Sequence, residues 1–109
     1  MLSRCKKGRR LEYTVKRRLE AAGYTVFRCA ASRPCDLIAV KQGSLLLVEC
    51  KSGHNPYASP ERLKQLSILI ETIGAKALLA VRKDHEAIRF YEIAENQMEI
   101  VKTRLKILR

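Results

Sequence analysis

Apolar residues recur along the chain at two periods, and the switches between them mark its elements. Leu11, Val15, Leu19 and Ala22 are spaced as on one helical face over residues 9–22, with Gly23 as the stop. At 100° per residue the four span an arc of roughly 80°, with Glu12 about 20° beyond its edge. Glu12 therefore borders the core instead of facing open solvent. "YTVFRCA" (24–30) reads as a strand that "SRPC" breaks. "DLIAVK" (36–41) and "LLLVECK" (45–51) are two more strands, joined by the turn "QGS". After the loop "SGHNPYASP", Ser59 caps a helix with Pro60 at its first position, running to about Ile73 before Gly74. "KALLAVR" (76–82) and "AIRFYEI" (87–93) complete the strands, while "MEIVKTRLKIL" fits neither period.

The third strand, the capped helix and the "KALLAV" strand form a βαβ unit, which calls for parallel pairing and a right-handed crossover. The strands before it make an antiparallel meander. The expected fold is α/β, a mixed central sheet flanked by helices, in one domain spanning residues 1–109. On the helix 60–73, Leu63, Leu66, Leu69, Ile70 and Ile73 lie within about 120° and form the core stripe. Gln65, Ile68 and Thr72 project from the opposite side.

The candidate chemistry lies at the end of the third strand. Side chains alternate faces there, so Glu49 and Lys51 share one face and Cys50 takes the other. With Gln42 and Gly43 as a two-residue turn, antiparallel pairing sets Asp36 opposite Glu49, with Cβ atoms roughly 4.5–5.5 Å apart. Two carboxylates that close repel each other, and a divalent cation between them relieves the repulsion. Oxygen ligands at this separation suit Mg²⁺ or Mn²⁺. Such a metal polarises a phosphate and activates water, and Lys51 adds a group to hold that water or to stabilise transition-state charge. Each residue also has an ordinary explanation: a Glu49–Lys51 ion pair, Asp36 ending a turn, Glu12 paired with Lys16 four residues on. Their convergence on one sheet end in a basic protein favours the chemical reading.

Charge changes the picture further. Lys and Arg number 22 against 11 Asp and Glu, a formal net charge of +11. Such an excess implies a polyanionic partner, most simply nucleic acid. Residues 1–18 carry eight basic side chains and one acidic one, Glu12. Cys5, Cys29, Cys35 and Cys50 form no CxxC, and neither His54 nor His85 stands at ligand spacing from them, which argues against zinc. Cys29 and Cys50 read as small core hydrophobes on strands. With no membrane-length apolar run and no signal-peptide core, the expected location is cytoplasmic, without a membrane partner.

The ordered set "KKGRRLE", "AAGYTVFRCAAS", "DLIAV", "LLLVECKS" and "ALLAVR", continued by "IRFYEI", resembles the PD-(D/E)xK nuclease superfamily and, within it, the archaeal-type Holliday junction resolvases. That resemblance implies a restriction-endonuclease-like core. It implies catalytic positions at Glu12, Asp36, Glu49 and Lys51, with the three carboxylates around Mg²⁺ or Mn²⁺. Ser32 matches a serine placed near the active site, and Arg28 and Arg33 match basic residues associated with junction cleavage. It further implies a homodimer that nicks opposed strands of a four-way DNA junction, with hydrophobic residues of the helix 60–73 at the interface. Gln65, Ile68 and Thr72 are the candidate dimer face. Lys6, Lys7, Arg9 and Arg10 are candidate phosphate contacts. Tyr13 stands where relatives often carry arginine, Cys35 precedes Asp36 where the superfamily name has proline, and the C-terminal region matches poorly. A repair or restriction-type nuclease acting on duplex DNA uses the same chemistry. A non-catalytic basic binding module is the alternative from another class, although 6% aromatic content offers few stacking platforms.

Overall fold

The computed structural model describes residues 4–93 and 100–102, with side chains described from Gly8 to Ile93 apart from Ser32. Helix α1 runs Arg4–Ala21 and so begins ahead of the periodic stretch 9–22, within the basic N-terminal segment. Leu11, Val15 and Leu19 are fully buried on its inner face, each contributing roughly 1.5–3 kcal/mol of hydrophobic stabilisation. Gly23 ends the helix at φ 97°, where a Cβ would be strained and would lie 3.3 Å from the Lys41 side chain. Lys41 Nζ donates to Ala22 O at 2.9 Å, placing a cation at the negative end of the helix dipole.

Strand β1 is Thr25–Arg28, shorter than expected. A single 3-10 turn, Ala30–Ser32, follows it. Strands β2 (Leu37–Lys41) and β3 (Ser44–Gly53) then form the hairpin. Its register runs from Lys41↔Ser44 to Leu37↔Val48, as the two-residue turn requires. Helix α2, Pro60–Ile73, has Ser59 as its N-cap, whose Oγ accepts from Arg62 N at 3.1 Å. It ends at Gly74, which is left-handed at φ 71°. Strands β4 (Lys76–Lys83), β5 (Arg89–Ile93) and β6 (Ile100–Lys102) complete the sheet. Of the ambiguous C-terminal stretch only 100–102 is described, as β6.

The six strands lie in sequence order. β3 and β4 pair in parallel and every other pair is antiparallel, so the sheet is mixed. α1 packs on one face against Val26, Leu37, Ala39, Leu46, Val48, Leu78 and Ala80. α2 packs on the other against Leu47, Ala77, Leu79 and Ile93. Among the described residues no helix is long and apolar enough to cross a membrane.

Two core assignments change. The buried stripe of α2 is Leu63, Leu66, Ser67 and Ile70, rotated by roughly 50° from the purely apolar arc at 100° per residue. Ile73 is exposed and Leu69 half-buried. Helix α2 lies chiefly over β4 and β5, and along that line the small Ser67 is buried with its hydroxyl unpaired. Among the described cysteines it is Cys35 that is fully buried, with its thiol donating to Leu37 O at 3.0 Å. Cys29 and Cys50 are half-buried, and Cys29 lies just past β1. Burial pushes the Cys35 thiol up to about 12, so it sits in the core as a protonated apolar group.

Candidate active site

β3 alternates faces through its length, and the alternation sets the site. Leu46 and Val48 face α1 while Leu47 faces α2. Glu49 and Lys51 follow Leu47 onto the α2 side, and Lys51 Nζ lies 4.0 Å from Glu49 Oε2. Glu49 is 3% exposed and Asp36 is 7% exposed, a burial that carboxylates accept only with partners.

Asp36 does not simply extend the β2–β3 ladder. Its amide donates to Val48 O at 3.1 Å, the carbonyl of the residue that already pairs with Leu37. This offset turns its carboxylate toward the strand, where Oδ2 accepts from Cys50 N at 2.7 Å. Asp36 and Glu49 therefore end at one place, by a bulge-like step instead of straight cross-strand pairing. Cys29 N donates to Asp36 O at 3.0 Å and holds the residue from the other side.

Glu49 is held by a residue that sequence reasoning did not single out. Arg62, in the first turn of α2, donates from Nε to Glu49 Oε2 at 2.6 Å and from Nη2 to Oε1 at 3.3 Å. The same Nη2 donates to Pro34 O at 2.8 Å. Burial raises the proton affinity of Glu49 above the ordinary carboxylate range, Arg62 opposes that, and the charge of Asp36 adds to it. At the start of α2 the signals in the sequence were the cap and the proline. An arginine at the third helical position looks like any polar surface residue.

Glu12 comes from the α1 layer, across the sheet from Glu49. It pairs with Arg28 at 3.3 Å, while Lys16 pairs with Glu20. Burial raises its proton affinity and so does the charge of Asp36, which sets Glu12 in the electrostatic field of the site. Between the layers the Cys50 thiol is pushed far up, first by burial and then by all three carboxylates. Among the described residues, no group of three or more His, Cys, Asp and Glu side chains is placed to hold a metal ion together.

An open depression of about 630 Å³ is lined by Asp36, Glu49 and Lys51 together with Arg33, Tyr57 and Arg62. Ala31 lines it in the left-handed conformation at φ 54°, which is uncommon for a residue with a side chain. A second groove, of about 580 Å³, holds Arg9, Arg10, Arg28 and Arg82 with Tyr13 and Thr14. Arg82, on β4, joins the candidate phosphate contacts only through tertiary structure. Arg28 in this groove is also the partner of Glu12. Ser32 falls on the 3-10 turn and Lys6 and Lys7 on α1, but their side chains lie outside the described residues.

A mixed sheet whose third strand carries Glu49, Cys50 and Lys51 in its second half, with an aspartate beside it, is the arrangement for which the PD-(D/E)xK class is named. The chain belongs to the archaeal Holliday junction resolvase (Hjc) family, whose model matches residues 3–107. The match thus reaches into the C-terminal region where the sequence resemblance is weak. A crossover junction endodeoxyribonuclease Hjc from Methanocaldococcus jannaschii is 35% identical over 88 residues, which are 79% of this chain and 66% of that relative. The crystal structure of Hjc from Archaeoglobus fulgidus, described as a Holliday junction resolvase, matches with a TM-score of 0.68. It is 30% identical, with 80% of this chain and 73% of that one covered.

Proposed function

We propose that this chain is a metal-dependent, structure-selective endodeoxyribonuclease that resolves four-way DNA junctions inside the cell by phosphodiester hydrolysis. The observation that carries the reading is the meeting of two nearly fully buried carboxylates and Lys51 in an open depression that arginines also line. Family membership supports the substrate class.

The donor set fits a hard divalent cation. Burial raises the proton affinity of Glu49, and the charge of Asp36 adds to it against the opposing Arg62, as expected of two carboxylates set close together. An incomplete protein shell suits Mg²⁺, which keeps several waters. Asp36 and Glu49 would hold Mg²⁺, or Mn²⁺ in its place, with Glu12 adding charge from the α1 side. When bound, the metal supplies polarisation of the phosphate and a more acidic water. Lys51 faces the same space as Glu49 and would orient the attacking water or stabilise charge on the phosphate. Arg33 in the same depression would hold the backbone next to it. Cleavage of an immobile four-way junction but not of linear duplex, in Mg²⁺ and not in EDTA, is the expected result. Equal cutting of both substrates would favour a duplex nuclease, and no cutting a binding module.

The arginine groove is the proposed track for DNA phosphates. Replacing Arg10 and Arg82 together with glutamine should flatten the dependence of log K on log salt by roughly two units. An unchanged slope would remove them from the interface.

A symmetric junction calls for two active sites, and the outer face of α2 is the proposed contact between copies. Ile68 is 56% exposed there, in a groove of about 640 Å³ shared with Gln65, Leu69 and Thr72 and bordered by Arg33 and Arg62. An isologous contact would bring each Ile68 near its own copy. Ile68→Lys should therefore give a monomer that nicks one strand per encounter. A variant that still sediments as the wild-type dimer would rule this face out.

A further inference from the structure

Arg62 is the strongest partner that Glu49 has. Its fork engages both carboxylate oxygens, Nε on Oε2 at 2.6 Å and Nη2 on Oε1 at 3.3 Å. Lys51, by contrast, lies 4.0 Å from Oε2 with a side chain 39% exposed. A planar guanidinium matched to both oxygens takes one lone pair of each and sets a full positive charge beside those that remain, so a metal reaches Glu49 only against that charge. A divalent ion added beside an unmoved Arg62 would also crowd that guanidinium with Lys51 in one depression. Metal binding to Glu49 and release of at least part of the Arg62 fork are then one equilibrium.

Release does not strand the arginine. Its Nη2 also donates to Pro34 O at 2.8 Å, and its Nη1 lies 3.4 Å from Gln65 Oε1. The backbone amide keeps the Ser59 cap whatever the side chain does. The guanidinium can thus give up Glu49 while remaining on the wall of the depression. Without metal it supplies the positive charge that keeps a buried carboxylate in place.

We infer that Arg62 is the built-in counter-cation of Glu49, which competes with the divalent metal for the same oxygens and so sets the affinity of the site for metal. The inference rests on the proposed metal site and assigns a separate residue to tune it.

The sign of the effect distinguishes competition from ordinary support. If Arg62 only braced Glu49, its removal would loosen a ligand and weaken metal binding. If it competes, removal leaves a buried charge that a divalent ion neutralises better, and binding tightens. The test is Mn²⁺ binding to the full chain without DNA, read by titration calorimetry and by loss of the free Mn²⁺ spin-resonance signal. Arg62→Gln should bind Mn²⁺ at least about tenfold more tightly than wild type, with Arg62→Lys in between because it keeps charge but loses the fork. Should Arg62→Gln not fold, the lysine variant decides the question by the same sign. Equal or weaker binding in the variants, with binding that Asp36→Asn abolishes, would overturn the role of Arg62 alone. Mn²⁺ uptake that survives Asp36→Asn would overturn the metal site itself, and this inference with it.

Discussion

Asp36→Asn should lower cleavage of a four-way junction by about a thousandfold or more while binding of the junction holds or tightens. The asparagine has nearly the same shape, and its side-chain oxygen can still accept from Cys50 N, which lies 2.7 Å from Asp36 Oδ2. What disappears is one of two buried negative charges at the proposed metal site. Charge stabilisation by a metal is worth several kcal/mol, and each 1.36 kcal/mol is about tenfold in rate. Folding should not suffer, because the charge of Asp36 raises the proton affinity of both Glu12 and Glu49, and removing it relieves that repulsion. Binding should not suffer either, since a carboxylate without its cation repels phosphate. Single-turnover cleavage in Mg²⁺, with gel-shift binding in EDTA, reads both effects. A variant cutting within tenfold of wild type would sink the assignment.

Lys51→Ala should leave the fold and Mn²⁺ binding in place and slow the single-turnover rate by about a hundred- to a thousandfold, the usual consequence of losing one charge-stabilising group. Lys51 is only a distant partner of Glu49, at 4.0 Å, whereas Arg62 holds that carboxylate at 2.6 Å. The ammonium is thus not needed to keep Glu49 in position, and its half-exposed placement leaves it available to substrate. An effect confined to Mn²⁺ affinity or to melting temperature would make Lys51 a structural ion pair. Wild-type turnover would dismiss it altogether.

Secondary structure and the hairpin were legible because they follow from local rules. The period of α1, the Ser59 cap and the glycine stops act within a few residues of one another, and a two-residue turn leaves one register for the strands beside it. The same alternation set Glu49 and Lys51 on one face. Boundaries were less legible: α1 extends back to Arg4 through a stretch with few apolar residues, whose helix-favouring arginines and lysines continue what Leu11 and Val15 anchor.

The sequence by itself thus determined the order of elements, the mixed sheet, the face shared by Glu49 and Lys51, and the charge that points to nucleic acid. Tertiary structure alone decided the contacts. Arg62 reaches Glu49 across thirteen positions, and Arg28 reaches Glu12 across sixteen. Arg82 joins the arginines of α1 only because β4 lies beside β3. Cys35 is fully buried while Cys29 and Cys50 are half-buried, and α2 turns Ser67 inward and Ile73 outward. The physical reason is one of range. Propensity, capping and turn geometry act within a turn of helix or a pair of strands, so a single sequence displays them. An ion pair or a buried thiol depends on which elements pack together, and that is settled by burying apolar area across the whole chain, a criterion that leaves no mark on the spacing of the residues involved.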